Sequence, residues 1–174
     1  MKTKILVLLF GVALLFGGCS NKVEEKPIVE IEEGSVTPAI VIGEPFVSGT
    51  LKDQFGKEGS VTPETEKVII VFGKATGHLV KEFLNKKPQD YLSEKHTVFI
   101  ADVSGMPSMI FKYVALPDLQ KHNYPIYLIL EKSDSEKFRN EKYSDYIMIV
   151  DLDKSVVKRV DFVTTEKDLE QRID

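Results

Sequence analysis

The sequence has a single cysteine, Cys19, so no disulfide can form within the chain and no Cys-x-x-Cys pair exists along it. Chemistry that needs two thiols from one chain is thereby excluded, and so is a disulfide framework as the source of stability. Histidine is almost as scarce: His78, His96 and His122 are scattered, with none paired at metal-ligand spacing and no cysteine to complete a set. Positive charge is in deficit, with 23 Lys and Arg against 27 Asp and Glu. Phosphate backbones demand a basic surface, so no binding of nucleic acid is expected. Internal repeats, coiled-coil heptads and a second domain boundary are missing as well. Asp151-Leu152-Asp153 lacks the glycine and terminal glutamate of a calcium loop and reads as a hairpin turn. The stretch from Gly73 to His78 lacks the Gly-Lys-Ser/Thr that closes a phosphate loop. Ser104-Gly105-Met106-Pro107-Ser108 lacks the strand-nucleophile-helix context of a hydrolase elbow. No cofactor is implied.

What is present begins at the N-terminus. Lys2 and Lys4 precede Ile5 to Phe16, an apolar run interrupted only by Gly11. That is the length of a leader's hydrophobic region and too short to cross a membrane, which takes about 20 residues. Gly17 and Gly18 then let the chain lie extended in a peptidase cleft just before Cys19. The segment resembles a bacterial lipobox, with Phe16 where leucine is more usual. The resemblance implies that residues 1–18 are a lipoprotein signal peptide and that Cys19 carries the lipid which anchors the chain to a membrane. The alternative is a plain secretory leader followed by an incidental cysteine. Ser20, rather than aspartate, follows Cys19, which for a Gram-negative cell implies the outer membrane, facing the periplasm. Losing Lys2 and Lys4 makes the mature chain more acidic than the formal −4 of the whole.

Residues 19–38 are charged and poor in large apolar side chains, and read as a lipid anchor followed by a flexible acidic tether. Val29-Glu30-Ile31-Glu32 alternates, so an edge strand there is the competing reading. Residues 39–174 form the domain, long enough to bury about 70% of its unfolded surface without a staple. The continuous apolar runs Val68 to Phe72 and Thr97 to Ala101 suit strands buried on both faces. Leu79, Val80, Phe83 and Leu84 recur at helical spacing until Lys86-Lys87-Pro88. Helices are also expected over Met109–Tyr113 and Leu116–His122, with Pro117 restarting the second, and from about Ser133 to Lys142. Ile126 to Leu130 is a third strand, Tyr146–Val150 and Val156–Val163 form a hairpin, and Thr164 or Thr165 caps a last helix. The order is α/β, with helices on both faces of a central mixed sheet.

This order, together with Ile42-Gly43-Glu44-Pro45-Phe46 and Leu51-Lys52-Asp53-Gln54-Phe55-Gly56-Lys57, resembles the thioredoxin-like superfamily, in its branch of peroxiredoxins and envelope thiol-disulfide oxidoreductases. The resemblance covers roughly residues 40–173 and implies a three-layer α/β/α sandwich. It also implies a Cys-x-x-Cys just past Phe72, where the helix dipole lowers a thiol pKa, and a cis-proline before the late strand. Here the first place reads Lys74-Ala75-Thr76-Gly77-His78 and the second Ser144-Asp145. A cis bond without proline costs about 3 kcal/mol, so a trans peptide is expected at Ser144-Asp145. Tyr124-Pro125 takes the cis-proline role if the register is shifted. Gly73-Lys74-Ala75-Thr76 is also similar to a stretch in YtfJ, a redox-silent envelope family.

Disulfide exchange and peroxide reduction are therefore not expected, and no catalytic residue is assigned. The candidate binding groove is Lys74, Thr76, Gly77, His78, Ser144, Asp145 and Tyr146, with an envelope protein as its partner. A second reading places a small molecule or anion on Lys74, His78 and the helix N-terminus. A third is a residual enzyme without a thiol. The plain structural reading of Gly73–His78 is a strand-to-helix turn capped by Thr76.

Overall fold

The computed structural model describes residues 26–174; the leader, Cys19 and the start of the tether lie outside the described residues. The strands are β1 (Val29–Ile31), β2 (Ser35–Thr37), β3 (Ile40–Val41), β4 (Leu51–Asp53), β5 (Glu58–Gly59), β6 (Lys67–Val71), β7 (Thr97–Asp102), β8 (Tyr127–Ile129), β9 (Ile147–Asp153) and β10 (Val156–Val163). The helices are α1 (Lys74–Asn85), α2 (Tyr91–Glu94), α3 (Ser108–Ile110), α4 (Leu116–Leu119), α5 (Lys132–Phe138) and α6 (Glu166–Ile173).

Side chains alternate across a strand, so the unbroken apolar run of β6 forces cover on both sides. Ile69 and Val71 point into one core with Val80, Phe83, Phe99, Ile149 and Leu169. Val68 and Ile70 point into the other with Ile40, Phe46, Phe138, Met148 and Phe162. Helices α1 and α6 cover the first face, and α5 with the β2–β3 hairpin covers the second. The result is the expected three-layer α/β/α sandwich on a mixed sheet of order β1-β10-β9-β6-β7-β8-β4-β5. β6, β7 and β8 are parallel, while β9 runs antiparallel to β6 and β10 antiparallel to β9. Each fully buried aliphatic side chain contributes about 2 kcal/mol relative to exposure.

The register also separates the two prolyl readings. β8 pairs with β7, away from β6, so Tyr124-Pro125 leads into β8 and not into the late strand beside β6. β9 is the late strand beside β6, and the residues before it are Ser144-Asp145. Every peptide bond among the described residues is trans. The Leu51–Lys57 motif forms the β4–β5 hairpin: Asp53 Oδ1 accepts from the N–H groups of Phe55 and Lys57 at 2.8 and 2.9 Å, and Gly56 takes φ +80°. The β9–β10 turn is made by Lys154 and Ser155, both at positive φ, the tight hairpin geometry that matches strand twist.

Four local expectations are corrected. Residues 19–38 are not tether throughout, because Val29–Ile31 takes the edge-strand alternative, with Val29 opposite Phe162 and Ile31 opposite Val160. Ser35–Thr37 pairs with Ile40–Val41, so the folded part begins upstream of residue 39. Helix α5 stops at Phe138, because Arg139 turns extended and Asn140 accepts from the Lys142 N–H to start a separate 3-10 turn. The two segments around Pro117 form one rod over residues 108–119, and α2 arises where Tyr91 and Leu92 drop into the core. The rod widens to a π-turn over Phe111–Ala115, where Leu116 N–H reaches Phe111 O, just ahead of the proline that has no N–H to give.

A carboxyl group on the outer part of the sheet is buried without a hydrogen-bond donor. Asp161 on β10 is 1% exposed, opposite Glu30 on β1. Arg159 Nε and Arg172 Nε approach its Oδ2 at 3.2 and 3.4 Å, yet neither carboxylate oxygen accepts a hydrogen bond among the described residues. Arg159 also pairs with Asp151 at 2.6 Å, Lys67 reaches Asp151 at 3.1 Å, and Arg172 pairs with Glu30. Burial pushes the Asp161 carboxyl up to about 6; Arg159 and Arg172 oppose the rise, and Asp151 and Glu30 add to it. The folded pKa thus lies above the unfolded value of about 3.9. Stability from the retained proton is full below pH about 4 and is lost as pH rises through about 6. His122, lowered chiefly by burial, acts in the opposite sense below pH about 6.5, with or without Asp161. The stability gained on Asp161→Asn is therefore expected to grow by about 2 kcal/mol between pH about 4.5 and 7, measured by urea unfolding; a difference independent of pH contradicts this.

Candidate functional site

The strand register collects the candidate residues at one end of the sheet. β6 and β7 run in parallel and finish there, with Val71 beside Ala101. β9 starts there, since Ile70 faces Met148, and β10 ends there, since Val163 faces Ile147. β1 begins at the same end, as Val29 faces Phe162. Gly73–His78, Val103–Pro107, Ser144–Tyr146 and the described chain's first residue, Lys26, therefore share one edge.

Lys74 and His78 are exposed on the first turns of α1, whose first turn has no acidic side chain. Gly73 is the N-cap and no side chain caps it. Thr76, expected as the cap, is buried and donates its Oγ1 hydrogen to Gly73 O at 3.0 Å, bonding back along its own turn. A Cβ on Gly77 would meet Val71 Cγ2 at 3.7 Å, an ordinary contact, so packing does not demand glycine there. His78 pairs with Glu82 one turn on, at 3.2 Å. Both side chains of this pair are exposed.

Across the edge, Ser144 is half-buried and Asp145 exposed. Asp145 pairs with Lys26, whose ammonium lies 5.1 Å from the centre of the Tyr146 ring. Tyr146 is buried and packs edge-on against Tyr143 at 5.5 Å. Gly73–His78 and Ser144–Tyr146 thus flank one end of the sheet, and no hydrogen bond or ion pair joins them among the described residues. The chain arriving from the N-terminal side crosses over the second loop. A shallow cavity of about 530 Å³ lies at the opposite end, lined by residues that include Thr65, Lys67, His96, Asp151 and Lys154.

Beneath the edge is a polar cluster that sequence reasoning missed. Asp102, whose side chain is 1% exposed, accepts from Ser135 Oγ at 2.6 Å, Arg139 Nη2 at 2.9 Å and Ser104 N–H at 2.9 Å. Arg139 Nη2 also donates to Phe72 O at 3.3 Å, and its guanidinium lies 5.3 Å from the Phe72 ring centre. Burial alone would raise the Asp102 pKa; the bonds from Ser135, Ser104 and Arg139 outweigh it and hold the carboxyl below its usual range. The cluster ties β7 and α5 to the residue that leads into Gly73. Its only sequence signal is a carboxylate closing an apolar strand, because Ser135 and Arg139 lie more than 30 residues away.

The described residues contain no cysteine, so thiol-disulfide exchange has no attacking atom in the domain. No three His, Asp or Glu side chains among them converge to hold a metal ion. No family model and no curated protein matches the sequence. Among solved structures, the chain is similar to a putative protein disulfide isomerase from Bacteroides thetaiotaomicron, at 17% identity over 77% of this chain and 86% of that one, with a TM-score of 0.50. It is also similar to a peroxiredoxin-like protein from Aquifex aeolicus at 13% identity over 79% and 88%, TM-score 0.49. The third, StoA from Bacillus subtilis, has 14% identity over 76% and 99%, TM-score 0.49. Identities this low speak to fold alone: the chain has a thioredoxin-like fold without that fold's pair of thiols.

Removing Asp102 leaves Arg139 and Ser135 without their shared acceptor. Asp102→Ala is expected to destabilise the domain by about 3 kcal/mol in urea unfolding; a change under about 0.5 kcal/mol, the range of an ordinary surface substitution, contradicts the role assigned to the cluster.

Proposed function

We propose that the chain is a lipid-anchored, redox-inactive thioredoxin-like domain of the bacterial envelope that serves as a protein-binding or accessory module. The observation that carries the reading is the start of α1. The fold is complete there, but the place of the reactive thiols is held by Lys74-Ala75-Thr76-Gly77-His78. A scaffold with its reactive atoms replaced retains shape, and function must then be argued from the surface that shape presents. The surface is the edge bounded by Gly73–His78 and Ser144–Tyr146, where Lys74, His78 and Asp145 are exposed and Ser144 half-buried. Residues 1–18 fit removal as a leader and Cys19 fits acylation, which places the domain on a membrane, the outer membrane facing the periplasm for a Gram-negative cell. The small-anion reading draws less support, because the Glu82 carboxylate lies 3.2 Å from His78 Nε2 and would face an incoming anion.

The test is a photo-crosslinker placed at Lys74 or Ser144 in cells that make the full chain, with Cys19→Ser as the localisation control. One reproducible protein partner, captured from both positions and lost when a crosslinker sits at Asp153 on the opposite end, is the expected result. Capture of nothing by a folded, membrane-bound chain overturns the reading.

A further inference from the structure

The rod over residues 108–119 has two apolar faces. Phe111, Leu116 and Leu119 pack on the core beside α1, and Lys81 on α1 pairs with Asp118 at 2.7 Å to fix the rod's lower end. The opposite face presents Met109, Ile110, Tyr113 and Val114, which are 66, 49, 62 and 65% exposed. They fall at i, i+1, i+4 and i+5, one side of a helix. Four large apolar side chains side by side in water are costly to leave uncovered and mark an interaction surface. The only charged residue from Val103 to Pro117 is Lys112, in a chain that is acidic overall. An apolar face carrying a tyrosine and one lysine, with no carboxylate, can enter a lipid interface without burying a negative charge.

Its position relative to the anchor selects lipid over other covers. The rod leaves β7 at the sheet end where Lys26 is held by Asp145 and Thr164. Cys19 is seven residues before Lys26, a reach of at most about 25 Å even when fully extended. If Cys19 is acylated, the end of the sheet that bears Met109 and Ile110 is held close to the bilayer, and the opposite turn at Lys154-Ser155 is directed away. We infer that the Met109–Val114 face of this rod docks on the lipid surface to which the chain is anchored, so that the domain sits on the membrane in one orientation. The inference rests on lipidation of Cys19, and the test separates the two.

The full chain, expressed with its leader in a bacterial host, is purified, weighed by mass spectrometry and reconstituted into phosphatidylethanolamine–phosphatidylglycerol vesicles. A bimane label is placed at Tyr113→Cys or, as control, at Asp153→Cys, and quenching by bromine-bearing acyl chains is read. Acylated Cys19 with quenching at position 113 at least about twice that at 153 is the expected result, since an interfacial helix buries its apolar face some 5–10 Å into the lipid. Acylated Cys19 with equal, weak quenching at both positions overturns docking and leaves the anchor intact. An unmodified Cys19 overturns both. Shielding of position 113 in native envelopes but not in protein-free vesicles assigns the face to a protein partner and overturns the lipid inference.

Discussion

The architecture depends on β6, whose every residue from Val68 to Val71 is apolar and buried. A strand of that composition cannot show either face to water, and one covering layer would leave Val68 and Ile70, or Ile69 and Val71, exposed. Two layers are the only solution, and the chain supplies them: α1 and α6 on one side, the β2–β3 hairpin and α5 on the other. β9 repeats the constraint, with Ile147 and Ile149 facing one core and Met148 and Val150 the other. Because β6 and β7 are parallel and β9 antiparallel to β6, the same requirement gathers the loops after the first two and before the third at one edge. The site is thus a consequence of how the centre is buried.

That edge has a polar base and an exposed rim. Asp102, Ser135 and Arg139 anchor the residues beneath it, while His78 contacts Glu82 and Asp145 pairs with Lys26. β1 enters at the same end of the sheet, so its pairing with β10 fixes where the described chain begins relative to the candidate edge.

Much of this was legible in the residues. The apolar strands, α1, the late hairpin and the missing thiols follow from periodicity and composition, and the structure bears out the three-layer sandwich. The α5 boundary was not legible, because Arg139 leaves the helix to reach Asp102 from 37 residues away. The β1 pairing was visible only as alternation in Val29-Glu30-Ile31-Glu32, too short a signal to outweigh the charged surroundings. Thr76 looked like a cap by its type and place, but its hydroxyl faces Gly73 O from inside the helix. The apolar outer face at Met109–Val114 was hidden for a different reason: the same residues suit a buried helix, and only packing reveals which side the core uses.

The central claim is that one end of the sheet, and not the other, meets the chain's surroundings. Hydrogen exchange on the full-length protein in intact envelopes, compared with the purified chain in solution, tests it most directly. Slower exchange over Gly73–His78 and Val103–Val114, with no change at the Asp153–Val156 turn, is the result expected. Slowing confined to that turn and the cavity beside it, or no slowing anywhere, would contradict the account.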